Sequence, residues 1–232
     1  MCGKFTQMAS WAEVHQYSSL LQARPVETAM PNDEVRVFTP MRAVPVVHLG
    51  PEGERVATPM IWGFTDRNPS GRRIPKHMHA RGETVHKLPT FRNGFERRRG
   101  LTFVKSFNEG LEVPLTFEDG TRTGKTWTQQ WTLRQRDGLP AVIGIIFDVF
   151  DVGRGAEYEF VQVTVPANAL VSVITDRMPL LLQGEAEMEL WLGEHRAPLE
   201  EVMALIRTRE FGSDWEMAVE DPTKKPPRPK KR

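Results

Sequence analysis

The chain has 232 residues, 39% of them hydrophobic and 26% charged, with a net charge of +1 and a single cysteine. That is enough apolar material for the core of one large domain. It excludes an intramolecular disulfide or a cysteine-based zinc site, and no run approaches the roughly 18 apolar residues of a membrane span.

Taken in chain order, SWAEVHQYSSLLQA (10–23) spaces Trp11, Val14, Leu20 and Leu21 along one helical face, with Ser10 as its N-cap. EVRVF (34–38), VPVVHL (44–49) and TPMIWGF (58–64) read as short strands. NPSGRRIPKHMHARGE (68–83) is rich in turn formers and charge and reads as an exposed loop. LTFVKSF (101–107) returns to strand character, and 117–133 reads as a hairpin with Trp127 and Trp131 on one face, in a core role or as a stacking surface for bases. AVIGIIFDVF (141–150) has the composition of a strand covered on both faces. EFVQVTV (159–165) alternates. Helices are expected from Pro166, over 184–195 and over 197–211. The expected architecture is α+β: a single domain over residues 1–220 with a mixed, curled, barrel-like sheet flanked by helices. From Asp221 onward, Pro and Lys density predicts a disordered basic tail.

The near-neutral net charge hides an asymmetry. Residues 67–105 hold eleven Lys or Arg against two acids, Glu83 and Glu96, and PTKKPPRPKKR (222–232) adds six positive charges. A basic band on an otherwise acidic protein is the footprint of a polyanion site, or else a solvated loop and a tail. His77 and His79 with His86 have no carboxylate or cysteine spacing to support a metal site. The N-terminus lacks the basic-then-apolar profile of an export signal, and one cysteine suits a reducing, cytoplasmic setting.

That cysteine is at position 2, in MCGKF. Removal of Met1 would give Cys2 a free α-amine, with a pKa of about 7.7–8.0, beside a thiol of about 8.5. Both are partly deprotonated at neutral pH. A 1,2-aminothiol meeting an aldehyde forms a Schiff base through nitrogen, and the thiol then closes a five-membered thiazolidine in an intramolecular step. Attack of the thiol on an amide is the alternative use, and an inert small side chain the bland one.

MCGKF resembles the M-C-G-R-F start of the SRAP family, the SOS response-associated peptidase-like proteins. PMIWGF (59–64), HARGET (79–84), LPTFR (88–92), RRGLTFVKSFNE (98–109), the stretch ending in TDRMPLLL (175–182) and WL (191–192) resemble further segments of that family in its order. The resemblance covers roughly residues 1–195. It implies a barrel-like α+β core with a basic cleft for single-stranded DNA, an abasic-site sugar aldehyde as the partner of Cys2, and a DNA-associated location. No cofactor and no metal is implied. Glu109 falls on the family's proton-shuttling Glu. The family's Asn falls on His79 and its His on Thr175. Thr175 is a poor acid and base, so slower or less reversible chemistry is expected. His79 either takes over proton transfer or contacts phosphate. Lys4 stands for the Arg of C-G-R-F and keeps the charge without the bidentate fork. Lys4, Arg72, Arg73, Lys76, Arg81, Arg98 and Arg99 are the expected DNA contacts, with Arg81 alternatively in a surface ion pair with Glu83. Residues that serve as wedges in the family fall on Asp66 and Asn68. Two other functions stay open: a DNA-binding module without chemistry, and a thiol peptidase or self-processing hydrolase using Cys2.

Overall fold

A computed structural model describes residues 3–8, 14, 37–67, 70, 72–151 and 155–228. In chain order its elements are β1 (Lys4–Met8), β2 (Ala43–Leu49), β3 (Arg55–Trp62), β4 (Phe64–Arg67), β5 (Arg73–His77), β6 (His79–Arg81), α1 (Pro89–Arg97), β7 (Arg99–Thr116), β8 (Arg122–Gln135), β9 (Ala141–Asp151), β10 (Ala156–Pro166), a 3₁₀ turn (Val171–Val173), β11 (Arg177–Pro179), β12 (Leu181–Leu182), α2 (Gly184–Leu192), α3 (Leu199–Ala204) and β13 (Trp215–Val219).

β9, β10, β3, β2 and β7 follow one another through hydrogen-bonded pairs, and β7 pairs back onto β9. The sheet therefore closes into a five-stranded barrel, with the remaining strands attached as extensions. The expected α+β domain with a curled mixed sheet is what the chain forms. The apolar run of β9 explains why closure falls there: Ala141 to Phe147 are all buried, because the strand is covered on both faces. Closure needs β7 to pass close to both neighbours at Gly100. A Cβ at this position would lie 2.8 Å from Val46 Cγ1, 2.9 Å from Ile145 Cδ1 and 3.0 Å from the Val47 carbonyl oxygen. Gly100→Ala is expected to cost about 1–3 kcal/mol through overpacking, read from the midpoint of denaturant unfolding.

Several expectations are corrected. Residues 73–77 and 79–81 are strands and not loop: β5 pairs antiparallel with β4, and β6 lies parallel against β10. The pairing needs only backbone groups, and buried Ala80 supplies the apolar contact. The helix expected from Pro166 is only the short 3₁₀ turn, and that expected over 197–211 shrinks to Leu199–Ala204. Trp127 and Trp131 are half-buried and stand outside the central core among the described residues. The helix expected over 10–23 lies outside the described residues except for Val14, which is buried. In the basic C-terminal segment, Asp221 accepts from Thr223, while Pro226 to Arg228 share a groove with the β7–β8 turn.

His48, on β2, is buried, with Nδ1 at 2.9 Å from the Leu49 carbonyl and Nε2 at 2.8 Å from Thr58 Oγ1. A carbonyl only accepts, so Nδ1 carries the proton and Nε2 accepts from the hydroxyl. Burial pushes the His48 pKa below its ordinary 6.5. As pH falls below that value the unfolded chain binds a proton that the folded chain resists. The stability contributed by neutral His48 is complete above about pH 6.5 and declines as pH drops through the lowered folded value. The wild type should lose more Tm between about pH 7.5 and 5.5 than His48→Gln does.

Candidate active site

β1 lies antiparallel on β7, with Lys4 opposite Asn108 and Phe5 opposite Phe107. Cys2 lies outside the described residues. Gly3, which follows it, is exposed on the wall of a cavity of about 620 Å³, together with Lys4, Asn108, Glu112, Thr128 and Thr175. Asn108 is 1% exposed and donates from Nδ2 to Thr132 Oγ1 at 3.0 Å. Thr175 reaches the cavity from the turn after Val171–Val173, its amide donating to the Val171 carbonyl at 3.1 Å.

Successive side chains on a strand point to opposite faces. Glu109 is therefore on the other face of β7 from Asn108, alongside Phe107 and across from Trp131, and it is fully buried. His79 belongs to that inward side. Phe5 stacks on Trp62 with centroids 4.6 Å apart, and the His79 ring meets the edge of Trp62 at 6.4 Å. The structure thus brings Thr175 to the cleft beside Gly3 and Asn108. His79 is linked to β1 through Trp62 and Phe5, and Glu109 lies on the other face of β7 from Asn108.

Two of the family-like segments, RGET and TDRMP, meet in space. The Arg177 guanidinium forks onto Glu83, Nη1 to Oε1 at 2.5 Å and Nη2 to Oε2 at 2.8 Å, and Nη2 also donates to the Thr164 carbonyl at 2.6 Å. Arg177 is 8% exposed. This pair holds the strand that begins two residues after Thr175. The hydrogen bonds from Arg177 lower the Glu83 pKa, with the Arg81 charge a smaller contributor. The partner of Glu83 is thus Arg177, and the expected Arg81–Glu83 alternative gives way to it; Arg81 is exposed.

The other basic candidates divide by partner. Lys4 pairs with Glu220, just past β13, and Arg98 with Asp148. Arg73 pairs with Glu157 and lies 3.9 Å from Glu159. Lys76 pairs with Asp66 at 2.9 Å. Arg99 donates to the carbonyls of Phe95 at 2.7 Å, Glu96 at 3.1 Å, and Trp191. These carbonyls end α1 and α2, so the cation sits where two helix dipoles are negative. Arg99 is a structural clamp between helices. Arg72 and Arg81 are exposed. His77 meets the edge of Phe91 at 5.3 Å, and among the described residues no group of His, Cys, Asp and Glu is arranged to hold a metal ion. No helix among them is long and apolar enough to cross a membrane.

Sequence reasoning missed Asn108, which stands at the Tyr of the family segment ending G-F-Y-E and lines the cleft. It also missed Gln162 on β10, fully buried with neither side-chain amide atom hydrogen-bonded among the described residues.

Comparison with known proteins places these features. A family model described as SOS response associated peptidase (SRAP) matches residues 1–219. A 67-residue stretch is 40% identical to the abasic site processing protein HMCES of Gallus gallus; the match spans 28% of this chain and only 20% of that protein. A solved structure from Bordetella bronchiseptica superimposes with a TM-score of 0.68 at 18% identity, over 95% of this chain and 100% of the other. One from Bacteroides thetaiotaomicron gives 0.69 at 16% identity, over 94% and 91%. At such identities these two establish likeness of fold.

Proposed function

This chain belongs to the SOS response associated peptidase (SRAP) family, and from that premise we propose that it binds single-stranded DNA and captures abasic sites covalently through Cys2. The observation that carries this reading is Gly3 on the wall of a polar cleft beside Asn108 and Thr175, next in sequence to the residue that would do the chemistry. The ring-opened abasic sugar offers an aldehyde at C1′. The α-amine of Cys2 adds to that carbon and water leaves, giving an imine. The thiolate then adds to the same carbon, the imine nitrogen takes a proton, and the thiazolidine closes without an external oxidant or reductant. Departure of water needs a proton donor. Glu109 and His79 are the titratable candidates, and the Thr175 hydroxyl stands in the cleft as a hydrogen-bonding group. With a hydroxyl where the family carries an imidazole, the reaction should run more slowly and reverse less readily.

Arg72 and Arg81 are exposed and within reach of a phosphate backbone. Lys4, Arg73, Lys76 and Arg98 would exchange carboxylates for phosphates, and Arg99 is left out of the interface. The test is an oligonucleotide carrying one abasic site, incubated with the purified protein beside an unmodified control. A product of protein plus oligonucleotide mass less one water, formed with the abasic strand alone, is expected; its absence sinks the reading. Noncovalent binding should weaken steeply between low and moderate salt. A second reading, a DNA-binding module without chemistry, draws support from Thr175, a hydroxyl on the cavity wall where the family carries an imidazole. It predicts the same salt dependence and no covalent product.

A further inference from the structure

Gln162 is the one buried glutamine side chain of the core strands whose amide oxygen and nitrogen both lack a hydrogen-bond partner among the described residues, at 0% exposure. Stranding a buried amide carries a real free-energy cost, so its surroundings are informative. On β10, Gln162 has two cross-strand neighbours, Ile145 on β9 and His79 on β6. Neighbouring strands lie about 4.8 Å apart, and register partners share a face. Along its own face the neighbours are Phe160, stacked on Trp62, and Thr164, whose hydroxyl lies 3.2 Å from the Arg177 guanidinium. Ile145 and Phe160 are apolar and Thr164 is engaged. Among the cross-strand and same-face neighbours named, the remaining polar side chain is the imidazole of His79.

We propose that Gln162 is a positioning residue for His79, its amide oxygen accepting an N–H from the ring when the imidazole becomes protonated. In the resting protein the two are register neighbours without a hydrogen bond to Gln162. On protonation the ring gains a second N–H, and the amide gains the partner it lacks. Gln162 thereby favours the charged form of His79, the form that can hand a proton to the departing hydroxyl of the abasic-site adduct. This last step rests on the reading above; the coupling between the two side chains does not. The charged groups disposed about His79 are Arg81 on its own strand, Arg177 with Glu83 beyond Thr164, and Glu109 on the inward face of β7. β3 contributes the uncharged indole of Trp62, β1 the ring of Phe5, and β10 no charge on that face at Gln162.

The test compares wild type with Gln162→Leu and, as an unbranched substitute of similar length, Gln162→Met. Histidine-labelled protein is titrated by NMR without DNA, with His79→Asn used to assign the resonance. Either substitution should lower the His79 midpoint by about half a pH unit or more. Either should also raise Tm by about 3 °C, because an unmatched buried amide is removed. With the abasic oligonucleotide, adduct formation near neutral pH should fall about tenfold while binding to an unmodified strand stays unchanged. An unchanged His79 midpoint in both variants, or a fall in Tm in both, overturns the proposal. If wild type itself forms no adduct, the crosslinking reading fails, and the titration still decides whether Gln162 and His79 are coupled.

Discussion

Cys2→Ala is expected to give no product that survives denaturing electrophoresis with an abasic-site oligonucleotide, whereas wild type should, with binding to an unmodified strand the same in both. The expectation follows from the two-step chemistry. Alanine keeps the α-amine, so an imine can still form, but an imine returns to aldehyde and amine in water. Only the thiol makes the adduct durable, through ring closure at high effective concentration. Borohydride separates the steps. It should trap a reduced imine with Cys2→Ala and with Cys2→Ser, at a yield comparable to wild type. A loss of covalent product of about a hundredfold or more without borohydride, recovered by borohydride, is the expected pattern. If Cys2→Ala crosslinks like wild type without reductant, the cysteine is a bystander. If borohydride traps nothing with any of the three proteins, the amine is not the nucleophile.

Glu83→Ala is expected to be among the most damaging single changes outside the barrel core. It strands the guanidinium of Arg177, which is 8% exposed and donates its remaining hydrogen bonds to Thr164. Removing one partner of a buried pair typically costs about 3–5 kcal/mol. Glu83 itself is about half exposed, so water replaces part of the lost contact and about 2–3 kcal/mol is expected here. For a chain of this size that is a fall in Tm of about 4–12 °C. The same pair predicts acid sensitivity. The Glu83 pKa is lowered from 4.5 by Arg177, so its contribution is complete above that value and is lost as pH falls below it through the depressed folded value. Glu83→Ala should flatten this part of the stability profile. Adding Arg177→Met to Glu83→Ala should recover part of the lost Tm. A single variant as stable as wild type would show the pair to be decorative.

The barrel strands could be read from the residues because their signal is local. β9 is a continuous apolar run that reports burial directly, and the alternation of β10 marks a strand although it does not show that Gln162 and Thr164 are buried as well. β5 and β6 carried no such signal. RIPKH and HAR acquire strand geometry from partners, β4 and β10, whose position only the closed sheet supplies. The charge reading fared similarly. The excess of cations over 67–105 is real, but counting along the chain cannot see Asp148, Glu157 and Glu159, which fold back onto Arg98 and Arg73. Nor can it see that Arg99 serves two helix ends. The RGET and TDRMP segments were visible as motifs. Their meeting through Glu83 and Arg177 was not, because the contact spans 94 residues.

β7 is paired with β2 and β9 in its first half, with β1 and β8 beyond, and it carries Asn108 and Glu109 on opposite faces. Freeing it would mean breaking ladders on both flanks at once, so its amides belong with the slowest to exchange with solvent deuterium. Among the described residues, β1 holds to the sheet along one flank and by the bridge from Phe5 to Phe38 on the other. If the cleft takes a strand of nucleic acid as proposed, accommodation would fall to β1 and to the turn bearing Thr175, against a wall held on both flanks.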